Sequence, residues 1–284
     1  MKKEYYIRLF LSIIIILIIF IYSKESFKYL FFLICHEAVH IITAAKLGYR
    51  TDKFLILPFG VTANIKDDII NPIDDILISL SGPLFNLIIA VLFYFLYIQY
   101  GYDYIYFKVN IVLMLFNLIP AGFLDGGRIL KDIIKVYYSF YYSEFLIYLN
   151  GIIFGCIILF ITIYEGNIFK FLIKALFGVY FIFVSFQDRK SINYRIIKDF
   201  LYKGFYLKNK NNYKVELRGF NIHTKLFDVI KTFCFKHYYI IYVMDGKNPI
   251  KKIDEEDIIK AYLSYGNISL DECLKYDLQE ENSW

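Results

Sequence analysis

The chain has 284 residues, 58 % of them hydrophobic, and a mean hydropathy of +0.48. This lies well above ordinary soluble composition, and the apolar residues fall in long runs, which excludes a simple soluble domain and points to the membrane. The net charge of +5 comes from scattered basic residues that form no nucleic-acid-binding stripe, and Cys35, Cys156, Cys234 and Cys273 have neither disulfide-framework nor CxxC spacing.

Six apolar segments follow one another, at about 7–22, 27–47, 76–97, 104–130, 145–164 and 168–186. Each is near the ~20 residues that cross a bilayer as helix. The first imitates a signal peptide, with Lys2, Lys3 and Arg8 ahead of its apolar run. Its exit reads Ser-Lys-Glu-Ser, without a small-x-small cleavage site, so an uncleaved transmembrane helix is expected. Lys46, Arg50, Lys53, Lys66, Arg128, Lys131, Lys135, Arg189 and Lys190 gather in the N-terminal tail's side of the alternation, and fewer basic residues lie opposite. The positive-inside rule then places both termini in the cytoplasm.

Between the second and third segments, KFLILPFGVTANI at 53–65 reads as two β-prone pieces around Pro58 and Gly60: a short hairpin or an irregular interfacial loop. From about 187 the chain turns soluble. Residues 215–262 give a strand, a helix, a second strand, a DGKNP turn and a final helix. The expected fold is therefore a polytopic α-helical membrane protein of six transmembrane helices with a small C-terminal α/β domain. Its expected layout is a membrane domain over 1–190, a linker over 191–210 and a cytoplasmic domain over 211–284.

The second segment contains His36-Glu37-Ala38-Val39-His40. On a helix, His36 and His40 stand one turn apart on one face, where their imidazoles can share a tetrahedral zinc ion. Glu37 beside them can take a proton from the attacking water. A lone histidine is usually structural, but here two of only four histidines bracket a glutamate inside an apolar segment, where ionisable groups are costly and tend to be functional. Asp125, in Asn117-Leu-Ile-Pro-Ala-Gly-Phe-Leu-Asp125-Gly-Gly-Arg128, is the best candidate third ligand; the alternative is an ordinary interfacial carboxylate. Pro120, Gly126 and Gly127 break the helix there, which is tolerated at membrane depth where backbone lines an enclosed or wet cavity. At 1.5 Å per residue, His40 and Asp125 both fall on the order of 10–15 Å from the cytoplasmic face. His223 and His237 belong to the polar tail and are expected to stay away from the metal.

HEAVH, SGPLFN at 81–86 and NLIPAGFLDGGR at 117–128 together resemble the site-2 protease family of intramembrane metalloproteases, over its three-helix catalytic core. The resemblance implies one zinc ion per chain, held by His36, His40 and Asp125, with Glu37 as catalytic acid/base. Asn117 then corresponds to the polar residue of the family's asparagine–proline–aspartate motif, and Asn117 or Asn86 is expected to bind the substrate backbone or the oxyanion. Six helices, no PDZ-like insert and one trailing module resemble the family's sporulation sub-group. That layout implies a membrane-associated protein substrate of the pro-sigma-K type and membrane inhibitor proteins. The trailing module resembles a single cystathionine-β-synthase (CBS) repeat, implying a homo-oligomer and, through Asp257, a nucleotide such as ATP. Asp254 stands where such repeats often carry Ser or Thr, and its carboxylate disfavours phosphate. A six-helix transporter or metal channel would leave Glu37 without a role, and an inactive scaffold would have no use for an intact HExxH with Asp125.

Overall fold

The computed structural model describes residues 26–49, 51–57, 60–65, 71–122, 124–164, 166–190, 192–208 and 211–281. The first expected membrane segment lies outside the described residues. The chain divides into two compact units, one of residues 1–132 and 146–189, the other of residues 133–145 and 190–284.

The described residues of the first unit open on α1 (Ser26–Lys46), followed by a two-stranded antiparallel hairpin of β1 (Thr51–Leu57) and β2 (Gly60–Ile65). Next come α2 (Pro72–Tyr100) and α3 (Ile105–Asn117). The boundaries of α2 are written in its sequence. Asn71 caps it by accepting from the Ile73 N–H at 3.0 Å, Pro72 occupies the first turn, where its missing N–H costs nothing, and Asp74 and Asp75 face the positive end of the helix dipole. Gly101, with φ of 71°, ends it in a left-handed cap. The expected fourth segment is divided: α3 stops at Asn117 and α4 (Asp125–Tyr137) begins at the aspartate itself. The glycines after Asp125 permit a close approach. A Cβ at Gly126 would overlap the Leu118 carbonyl, and one at Gly127 would lie 2.6 Å from the Ala121 carbonyl. Helices α5 (Phe140–Thr162) and α6 (Ile168–Lys190) complete this part of the chain.

Among the described residues, three helices are long and apolar enough to cross a membrane, at Phe27–Lys46, Pro72–Tyr100 and Phe140–Thr162; Ile105–Asn117 and Lys174–Gln187 are shorter apolar helices. Large hydrophobic residues such as Ile88, Phe95 and Ile98 lie exposed on α2. That is the expected outer face of a helix whose solvent is lipid, where apolar side chains need not be hidden.

The second unit is built on a three-stranded sheet in the order β3 (Lys214–Asn221), β4 (His237–Asp245), β5 (Asn248–Asp254), with β3 parallel and β5 antiparallel to β4. Short α8 (Leu226–Ile230) crosses between β3 and β4, and α9 (Glu255–Tyr265) and α10 (Leu270–Glu281) follow. The strand β5 overlaps the end of the DGKNP sequence, read as a turn, and runs on just after it; its two lysines, Lys251 and Lys252, are adjacent and point to opposite faces, which hides the period. Residues 192–208, read as linker, form α7 (Ile192–Lys208). Ile196 and Phe200 of α7 enter the same core as Leu226, Phe233, Tyr239, Ile241 and Ile258. Lys203 on α7 is fully buried and donates to Glu255 Oε2 at 2.7 Å, while the Tyr239 N–H donates to the same oxygen at 3.0 Å. Burial holds the Glu255 carboxyl above its ordinary value and the Lys203 ammonium below its own, against their mutual attraction.

Candidate metal centre

Helix α1 places His36 and His40 on one face, both buried, with their Nε2 atoms 3.1 Å apart. Asp125, at the start of α4, brings Oδ2 to 3.1 Å from His36 Nε2 and 3.2 Å from His40 Nε2. Among the described residues this is the one group of three or more His, Cys, Asp or Glu side chains converging closely enough to hold a metal ion. Ligands bound at about 2.0–2.1 Å in tetrahedral geometry stand about 3.3 Å apart, so the triangle has close to the edge lengths of one tetrahedral face.

The outer nitrogens show why these three atoms point inward. His36 Nδ1–H donates to Asn86 Oδ1, and His40 Nδ1–H donates to the Ile78 carbonyl at 2.6 Å. With Nδ1 carrying the proton in each ring, both Nε2 lone pairs face Asp125 Oδ2. Two bare imidazole nitrogens and a carboxylate oxygen at such separations repel one another unless a cation lies among them. The donor set of two imidazoles and one carboxylate suits zinc and leaves a fourth position open.

Helix α2 reaches the two imidazoles through Gly82. A Cβ there would lie 2.6 Å from Cε1 of His36 and of His40, so the glycine of SGPLFN is the space into which the imidazoles fit. Pro83, next along, has no N–H for the Ser79 carbonyl. Ser81 Oγ donates to the Ile78 carbonyl at 2.6 Å, the same oxygen that holds His40.

Glu37 is half-buried and within electrostatic reach of His36, His40, Asp125 and Arg128. The two asparagines considered for oxyanion or substrate binding are differently placed. Asn86 is fully buried, with its oxygen on His36 and its Nδ2 donating to Asn110 Oδ1 at 2.9 Å, so both ends of its amide are engaged. Asn117 is the last residue of α3 and buried, and its Nδ2 donates to the Leu113 carbonyl of its own helix at 3.0 Å. In the second unit, Asp257 is exposed beside Lys260, His223 is exposed, and His237 pairs with Glu216 at 2.9 Å. Asn110 and the Asp75–Arg128 ion pair were not singled out in the sequence. A buried amide inside an apolar run was the available signal for Asn110; nothing local marks Asp75 as the partner of an arginine 53 residues away.

The chain is similar to known metalloproteases. The model for peptidase family M50 matches residues 27–105, a span that includes His36, Glu37, His40 and Gly82 and ends before Asp125. Zinc metalloprotease MJ0392 of Methanocaldococcus jannaschii is 32 % identical over 151 residues, covering 48 % of this chain and 44 % of that protein. The chain thus spans less than half the length of that relative. Stage IV sporulation protein FB of Bacillus subtilis is 24 % identical over 268 residues, 89 % of each chain. Among solved structures, the site-2 protease from M. jannaschii superposes with a TM-score of 0.50 at 26 % identity, over 64 % of this chain and 88 % of that one. The chain is thus similar to peptidase family M50 over residues 27–105 and to a solved site-2 protease over 64 % of its length.

Proposed function

We propose that the chain is an integral membrane zinc metalloendopeptidase that hydrolyses a peptide bond of a membrane-associated protein. The observation that supports it best is the buried triangle of His36 Nε2, His40 Nε2 and Asp125 Oδ2, with Glu37 on the same helix. His36, His40 and Asp125 would hold the ion. When bound, zinc supplies a Lewis acid for the scissile carbonyl and lowers the cost of ionising water. Glu37 takes the proton from the attacking water and delivers it to the leaving amine. Asn86 and the Ile78 carbonyl keep the two imidazoles in the tautomer that binds metal. Asn117, at the C-terminal end of α3, is the candidate for contact with substrate.

A helical substrate hides its carbonyls in its own hydrogen bonds, so it must unwind before cleavage. The hairpin of β1 and β2 has one strand edge on each side beyond their shared ladder, and either edge can take an extended segment as an added strand.

The similarity to stage IV sporulation protein FB, spread over 89 % of both chains, favours a pro-sigma factor of the sporulation type as substrate. The β-α-β-β-α order of the second unit has the strand and helix sequence of the CBS-like repeat named above, and such repeats pair; we infer self-association through it. Nucleotide does not enter this reading. Asp254 stands at the N-cap position of α9, and Glu256 and Asp257 lie in its first turn beside the buried Glu255, so the helix end where a phosphate would otherwise be welcome is acidic.

The test is co-expression with candidate pro-sigma factors, comparing the native chain with Glu37→Gln, alongside zinc stoichiometry of the purified protein. Cleavage that depends on Glu37 with one zinc per chain is expected. Zinc without cleavage of any membrane-associated substrate would favour a transporter or scaffold.

A further inference from the structure

We propose that Asn110, on α3, is a positioning residue for the metal centre: through Asn86 it sets the tautomer and ring orientation of His36. The inference rests on the reading of His36 as a zinc ligand. The observation is a one-way chain of hydrogen bonds through the first unit. Asn110 Nδ2 donates to the Tyr106 carbonyl at 2.9 Å, Asn86 Nδ2 donates to Asn110 Oδ1 at 2.9 Å, and His36 Nδ1–H donates to Asn86 Oδ1. Asn86 and Asn110 are both fully buried on apolar helices, α2 and α3.

The direction of this chain is forced from its far end. A backbone carbonyl can only accept, so Asn110 turns its NH₂ toward Tyr106 and its oxygen toward Asn86. Asn86 must then present its NH₂ to Asn110 and its oxygen to His36. An acceptor at that place demands a proton on His36 Nδ1, which leaves Nε2 bare toward His40 and Asp125. Without Asn110, the Asn86 amide has no reason to prefer that orientation, and its flipped form would confront Nδ1 with a donor. His40 differs, because its Nδ1 is held at 2.6 Å by the Ile78 carbonyl, an acceptor that no side-chain substitution removes, with Ser81 Oγ a longer second neighbour at 3.3 Å. The His36 side of the site is therefore the side that a remote residue can tune.

A buried asparagine between membrane helices also serves as interhelical glue. That role would lower stability in the zinc-free and zinc-bound protein alike. The proposal needs something different, a loss at the metal.

The experiment uses the full-length chain in detergent, with Asn110→Leu, Asn110→Asp, Asn86→Leu and the Asn86→Leu/Asn110→Leu pair. The readouts are zinc release to a chelator, the visible absorption of the cobalt(II)-substituted protein, and zinc-free thermal unfolding. Asn110→Leu is expected to release zinc about 10–100-fold faster and to alter the cobalt spectrum. Asn110→Asp keeps an acceptor toward Asn86 and should restore both. In the Asn86→Leu background the Asn110→Leu effect should vanish, because the link is already cut. Native zinc release in Asn110→Leu, zinc loss in Asn110→Asp equal to that in Asn110→Leu, or additive losses in the double variant would overturn the proposal. If Asn110→Leu does not accumulate, Asn110→Asp decides: native release and spectrum support the relay, and loss of zinc overturns it. A native chain that binds no zinc would instead overturn the underlying reading of His36.

Discussion

Arg128 on α4 forms an ion pair with Asp75 in the first turn of α2, one helical turn beyond Asp125. The pair is only partly accessible, with 30 % of the Arg128 side chain and 14 % of the Asp75 side chain exposed. Next to it, Tyr49 just after α1 donates from its hydroxyl to Asp74 Oδ2 at 2.7 Å and accepts from the Asn71 N–H at 3.1 Å. The ends of the three helices that shape the metal centre are thus tied together by polar contacts. Removing either charge should let α4 shift and carry Asp125 with it. Arg128→Gln and Asp75→Asn should each destabilise the zinc-bound form by about 1–3 kcal/mol, between the worth of exposed and buried pairs. The double variant should be no worse than the worse single one. Zinc competition with a chelator measures this, and unchanged affinity in both single variants would remove the pair from the account.

Gly82→Ala tests the fit of α2 against the ligands. Within a helix this change normally stabilises by about 1 kcal/mol. Here the added Cβ would meet His36 and His40 at 2.6 Å or less, so the sign should reverse. Zinc content of the purified variant should fall well below one per chain, with cleavage lost in parallel. Full occupancy would mean that the imidazoles can retreat.

Glu37→Gln separates chemistry from binding. Glutamine keeps the shape and cannot accept the proton. Zinc content should match the native chain, and cleavage should drop by about 10²–10⁴-fold, the usual worth of a general base. A variant that cleaves at the native rate would show that another group moves the proton.

Much of the metal centre was legible because its signals are local. HExxH on an apolar helix fixes a shared face through the 3.6-residue period, and Asp125 stands out as a carboxylate flanked by helix-breaking glycines. Gly82 was visible as part of a motif, but its job was not, since only the fold shows which rings press on it. Asn86 was legible as polar, but a sequence does not reveal that both ends of its amide are engaged, with His36 and Asn110. The second unit was harder for another reason. Helix α7 mixes Lys, Arg, Tyr and Phe with no clean apolar stripe, and Lys203 looks like a solvated charge until Glu255 is found opposite it. Residues 133–145 join that unit from the middle of the membrane segments, an arrangement that no composition boundary announces.

The Lys203–Glu255 pair gives the last prediction. Nζ lies 2.7 Å from Oε2 with both side chains at 1 % exposure or less, and the rings of Phe200 and Tyr239 each stand 4.9 Å from Nζ. Taking one partner away strands the other charge in an apolar core, which costs about 3–5 kcal/mol. Lys203→Met leaves a bare carboxylate, and Glu255→Gln leaves a bare ammonium. Combining them removes both charges, and the glutamine oxygen can still accept from the Tyr239 N–H, which Glu255 Oε2 now satisfies at 3.0 Å. The double variant should therefore be close to native in stability, while each single variant is clearly worse. The measurement is the temperature at which residues 190–284 become sensitive to protease in the full-length chain. Zinc content serves as the control, because His36, His40 and Asp125 all belong to the other unit. If Lys203→Met alone is as resistant as the native chain, the pair does not hold α7 to this unit, and the packing of Ile196 and Phe200 must suffice.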